Sequence, residues 1–90
     1  MEQHEVISAA IVATDDLCKY LDKLEGVTPF TFTRSYSVDK KPSITLYVEE
    51  GSTWSRGLPL YVIDNGPGGV MEFTIFDDFK QTLNKLMASL

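Results

Sequence analysis

Residues 30–48 read FTFTRSYSVDKKPSITLYV, and their alternation decides the fold. Phe30, Phe32, Arg34, Tyr36 and Val38 fall on one side; Thr31, Thr33, Ser35 and Ser37 fall on the other. A period of two with one apolar side predicts a strand that covers a core with one face. Asp39-Lys40-Lys41-Pro42 supplies a turn. The alternation then resumes, with Ile44, Leu46 and Val48 inward and Ser43, Thr45, Tyr47 and Glu49 outward. Two alternating runs joined by a turn predict an antiparallel hairpin.

Working outward toward the C-terminus, a third strand is expected over residues 58–64. Leu58, Leu60 and Val62 take its inner register, and Tyr61 and Ile63 its outer one. Pro59 belongs at the start of that strand, because a central strand cannot lose a ladder donor. Asn65-Gly66-Pro67-Gly68-Gly69 reads as a tight turn. It is not a phosphate loop, since it lacks the Gly-Lys-Ser/Thr ending and opens a strand. A fourth strand over 70–76 sends Met71, Phe73 and Ile75 inward. Asp77 or Asp78 then caps a helix whose stripe is Phe79, Leu83, Leu86, Met87 and Leu90.

Toward the N-terminus, Ile7, Ala10, Ala13 or Thr14, Leu17, Tyr20 or Leu21, and Leu24 follow helical spacing across residues 3–25. Gly26 stands where such a helix would end. A second reading stays open: residues 6–13 form a strand, and Thr14 caps a shorter helix. Alanine content favours the single helix. The sum is an α+β chain, helix–four strands–helix. A four-stranded antiparallel meander carries both helices on one face as a two-layer sandwich. Residues 1–90 form one domain, with no internal repeat.

Composition narrows the function. Thirteen acidic residues against eight Lys and Arg give a net charge of −5. The cations are scattered, which argues against direct nucleic-acid binding. One cysteine, Cys18, forms no bridge within the chain. Neither a secretory leader nor a membrane span is visible, so a cytoplasmic setting is expected. The single His4 lies near the N-terminus, far in sequence from Cys18. No nucleophile stands near a base, and no metal-ligand spacing occurs. No catalytic set, metal or cofactor is therefore expected.

Three places could carry function. The outer sheet face presents Tyr47, Tyr61 and Ile63, and tyrosine is enriched where proteins meet. The loop over residues 49–57 is long for a hairpin connection and holds Trp54 and Arg56 between Gly51 and Gly57. Trp54 could anchor a partner or cap the core. Arg34 is out of place in an apolar register. It could protect a sheet edge, pair with Asp64, or bind an anion beside Tyr36.

The expected function is a small acidic, non-catalytic module that binds or inhibits another protein through Trp54, Arg56, Tyr47, Tyr61 and Ile63. Short acidic chains of this kind resemble phage- or plasmid-encoded inhibitors in composition. The alternative is a small-ligand binder with a cleft formed by Arg34, Tyr36 and Asp64. A homodimer is expected through the two sheet edges.

Overall fold

The hairpin of residues 36–49 sits at the centre of a five-stranded antiparallel sheet in the computed structural model. The model describes residues 3–30, 34–51 and 55–90, with side chains from residue 9 onward. The strands are β1 (Val27–Pro29), β2 (Tyr36–Val38), β3 (Lys41–Glu49), β4 (Leu60–Asp64) and β5 (Val70–Phe73). They pair in chain order as a meander. Among the described residues there is a single 3-10 turn at Gly66–Gly68, between β4 and β5, and there are two α-helices, α1 (Gln3–Leu21) and α2 (Phe76–Ala88). Both add side chains to one core on one sheet face, so the α+β class is as the alternation implied.

Of the expected strand over 30–38 only Tyr36–Val38 is strand, and a further strand, β1, lies ahead of it at Val27–Pro29. β1 pairs Val27 with Val38 and Pro29 with Tyr36. The chain reverses between them, where the Phe30 N–H donates to Ser35 O at 2.9 Å. The alternation starts after β1, at Phe30, and carries on into β2, so period alone does not reveal the turn. Pro29 is tolerated because β1 is an edge and needs no second ladder donor. Phe30 is exposed rather than inward. Phe32 lies outside the described residues.

Pro42 lies within β3 and not in the turn. The register shifts between Ser37 and Val38, whose partners are Thr45 and Lys41. That irregularity absorbs a residue without an N–H. Beyond it Ile44 and Leu46 are fully buried, as expected, and Val48 packs against the same core.

The register of the third expected strand is reversed. Tyr61 and Ile63 point into the helix-side core, opposite Phe73 and Met71 on β5. Leu60 and Val62 face the other side and are buried there too. β4 is thus covered on both faces, which explains the unbroken run Leu60-Tyr61-Val62-Ile63. Leu58 is exposed ahead of the strand. β5 ends at Phe73, and Ile75, expected inward, is exposed.

α1 is one helix, and the strand alternative for 6–13 does not hold. Thr14 is no cap: its Oγ1 donates to Ala10 O at 2.7 Å inside the helix. Ala13, Leu17 and Leu21 form its buried stripe. The helix stops at Leu21, and tight turns carry the chain to Gly26. Gly26 (φ 92°) serves the entry to β1, not the helix end, and its carbonyl accepts the Asp39 N–H. α2 starts one residue before the expected caps. Ile75 is the N-cap residue, and Asp77 and Asp78 lie in the first turn, where they suit the helix dipole. Phe79 and Leu83 are fully buried, with Leu86 and Met87 packed beside them. No helix among the described residues is long and apolar enough to cross a membrane.

Candidate functional site

The register places Thr45, Tyr47 and Glu49 of β3, buried Leu60 and Val62 and Asp64 of β4, and Val70 and Glu72 of β5 on the sheet face away from the helices, with Tyr47 directly opposite Val62. Tyr47 is half-buried at the centre of this group. Burial pushes its phenol pKa up, and the carboxylates of Glu49, Asp64 and Glu72 push it further. The face is therefore acidic around a tyrosine, with exposed Val70 opposite Asp64 on the edge strand. Asp64 is fixed there, since its Oδ1 accepts the Gly66 N–H at 2.9 Å and shapes the turn into β5.

Tyr61 and Ile63 do not belong to this surface. Tyr61 stacks on Phe76 with ring centroids 4.7 Å apart, inside the helix-side core. A strand buried on both faces gives no alternation from which the outward residues can be chosen, and that is why both were assigned outward.

The loop after β3 is closed at its neck. A Cβ on Gly51 would stand 2.6 Å from Leu58 O and closer still to Gly57, so only glycine fits. Residues 55–58 form a turn, with the Leu58 N–H on Ser55 O at 3.1 Å and the Ser55 hydroxyl on Leu58 O at 3.0 Å. Its central residues, Arg56 (φ 56°) and Gly57 (φ 79°), both have positive φ. Such turns favour Asn-Gly, so an arginine in the left-handed region is strained. Arg56 is exposed at that point. Trp54 lies outside the described residues.

Arg34, Tyr36 and Asp64 do not meet. Arg34 is exposed and pairs with Asp15 of α1, Nη1 to Oδ1 at 3.0 Å, not with Asp64. It left the inner register because the chain turns before it. A groove of about 450 Å³ lies beside it, lined by Ala10, Ile11, Thr14, Val48 and Glu50. Tyr36 is in the core and donates its hydroxyl to Asp22 Oδ1 at 2.6 Å. Its phenol pKa is driven upward, first by burial and then by hydrogen bonds to Asp22 and Cys18. Cys18, Asp22 and Tyr36 thus form a small polar cluster that the sequence reading missed. The spacing of four between Cys18 and Asp22 was the available signal.

Among the described residues no three His, Cys, Asp or Glu side chains gather where they could hold a metal ion. In comparisons with known proteins, this chain matches no family model, no curated protein and no solved structure.

Proposed function

We propose that this chain is a small protein-interaction module that binds or inhibits another protein through its acidic outer sheet face and the Arg56 turn. The observation that carries the reading is Tyr47, half-buried among Glu49, Asp64 and Glu72 beside exposed Val70. A solvated face accounts for the carboxylates. It accounts less well for a tyrosine and a valine set among them, which is how interface cores combine packing with a charged rim. The partner surface that fits is basic. A strained arginine in a glycine-closed loop supports the same reading, because strain persists where a side chain is held for use.

Two further features go with this reading. The cytoplasm suits a fold whose single cysteine, half-buried on α1, forms no bridge. Self-pairing through a sheet edge suits a short chain with two of them.

The test uses the tagged chain to capture proteins from its native host, with mass spectrometry of what co-elutes and affinities measured on the isolated partner. Glu72→Lys and Tyr47→Ala should each weaken binding at least tenfold, about 1.4 kcal/mol, without lowering the melting temperature. Arg56→Asn should weaken it about thirtyfold. The same change should raise stability by about 0.5–1 kcal/mol, because asparagine tolerates positive φ. Parent-like affinity in all three variants would remove both the face and the turn from recognition.

A further inference from the structure

The helix side of the molecule carries the opposite charge at one place. Lys19, Lys23 and Lys80 line a single open groove of about 490 Å³ between α1 and α2, together with Tyr20, Phe76 and Asp16. Three of the chain's eight Lys and Arg residues meet there, although the net charge is −5. Lys19 lies in the last turn of α1 and Lys23 in the turn just after it, and both line the groove. Among the described residues neither forms an ion pair with a carboxylate. Lys80 stands over Phe76 at 5.0 Å and Tyr20 at 5.6 Å, and reaches Asp77 at 3.2 Å.

The aromatic part of the groove is held in place before any ligand arrives. The Tyr20 hydroxyl donates to Asn84 Oδ1 at 3.2 Å, which ties α1 to α2. Tyr20 also meets Phe76 edge to face, with centroids 5.9 Å apart at 86°. Phe76 is backed by Tyr61 and Phe79. A preformed surface spares a ligand the cost of ordering it.

The lining also indicates the ligand's chemistry. Three separate ammonium groups, of which Lys80 also meets Asp77, outnumber the single lining carboxylate of Asp16 and act as point charges, and no arginine fork is present to grip one phosphate from two sides. Separate point charges suit carboxylates spread along a chain. The partly exposed rings of Tyr20 and Phe76 between them suit an apolar side chain on that same chain. The overall negative charge does not forbid this, because screening at physiological salt confines surface charges to roughly 8 Å. A second copy is a poor occupant. Its acidic sheet face entering this groove would be a head-to-tail contact that does not close.

We infer that the groove between α1 and α2 docks an acidic segment of a partner protein, with its carboxylates on Lys19, Lys23 and Lys80 and an apolar side chain on Tyr20 and Phe76. The site is separate from the outer sheet face and does not depend on it.

The experiment titrates the full, isotopically labelled chain with a short synthetic peptide of Asp and Glu around one Phe, read by NMR. Its counterpart with Asn and Gln, inorganic phosphate and a short single-stranded RNA serve as the other probes. The expected result is saturable shifts at the amides of Lys19, Lys23, Phe76 and Lys80, with residues 45–49 and 70–72 unmoved. The double variant Lys19→Gln, Lys23→Gln should keep its melting temperature and lose at least tenfold in affinity. Glu72→Lys should bind the peptide like the parent, so failure of the sheet-face reading leaves this one standing. Several results overturn the inference: no saturation at millimolar peptide, equal binding of the uncharged peptide, the same shifts from phosphate alone, tighter binding of RNA, or an unchanged double variant.

Discussion

Tyr36 shows what one buried hydroxyl does to the chain around it. Its ring is in the core, and its O–H must find an acceptor or cost about 1–3 kcal/mol. Asp22 supplies that acceptor at 2.6 Å. Burial of the phenol and then its hydrogen bond to Asp22 disfavour ionisation, so its pKa is raised. Tyr47 and Tyr61 are raised as well, each first by burial. A raised pKa means that the folded chain keeps a proton the unfolded chain gives up. Below about pH 10 both states hold it, and its contribution is complete. Above that, the unfolded state ionises first and stability falls as pH climbs toward the folded value. The urea midpoint should therefore stay level from about pH 7 to about pH 9 and drop beyond about pH 10. One proton accounts for a slope of about 1.4 kcal/mol per pH unit. Tyr36→Phe should flatten that drop by one proton's worth while lowering neutral-pH stability by about 1 kcal/mol. An unchanged alkaline slope would mean that the folded state does not hold this phenol.

α2 fixes the sheet from one side with two fully buried residues, Phe79 and Leu83. Leu83→Ala should lower the unfolding free energy by about 2–4 kcal/mol in urea denaturation, the range for a buried large-to-small change. A loss under about 1 kcal/mol would mean that this stripe packs on nothing. Both helices were legible in the sequence because each carries one apolar stripe with a period near 3.6. β3 was legible because Ile44 and Leu46 alternate with Thr45 and Tyr47 around a single core. The remaining strands were harder for identifiable reasons. Leu60-Tyr61-Val62-Ile63 is apolar throughout, so its period says strand but not which face. The alternation from Phe30 to Val38 continues through a reversal and only Tyr36–Val38 is strand, so one long strand and a turn leading into a short one look alike. Arg34 seemed anomalous for that reason alone, and it is an ordinary surface ion pair worth at most about 1 kcal/mol. Of the candidate surface, Tyr47 was legible and its carboxylate surround was not, because Glu49, Asp64 and Glu72 come from three strands. The lysine groove was less legible still: Lys23 lies in the turn after α1, and Lys80 joins Lys19 and Lys23 only through the packing of α2.

At the scale of the molecule, a five-stranded meander leaves two edges, β1 and β5. They are not equivalent. β1 is three residues long and includes Pro29, which has no N–H to offer a new neighbour. β5 offers Val70–Phe73, with Val70 and Met71 exposed and exposed Ile75 just beyond. Short edges with an interrupting charge resist pairing, and Glu72 is that charge. Its effect depends on register. Residues opposite one another in an antiparallel pair point to the same side, so a two-fold axis passes either beside Met71 or beside Glu72. An axis beside Glu72 would set two carboxylates face to face. An axis beside Met71 pairs Met71 with its copy and sets Glu72 against Val70. The second arrangement joins two five-stranded sheets with no like-charge contact, and a single self-complementary patch is the commonest way to build a dimer. Sedimentation equilibrium on the parent chain should then give a species of twice 10.1 kDa at micromolar concentration. Met71→Lys would bring two ammonium groups together across the axis and should return the chain to 10.1 kDa without altering its far-ultraviolet spectrum. A parent chain that stays at 10.1 kDa to high micromolar concentration would show that Glu72 alone is enough to keep this edge closed.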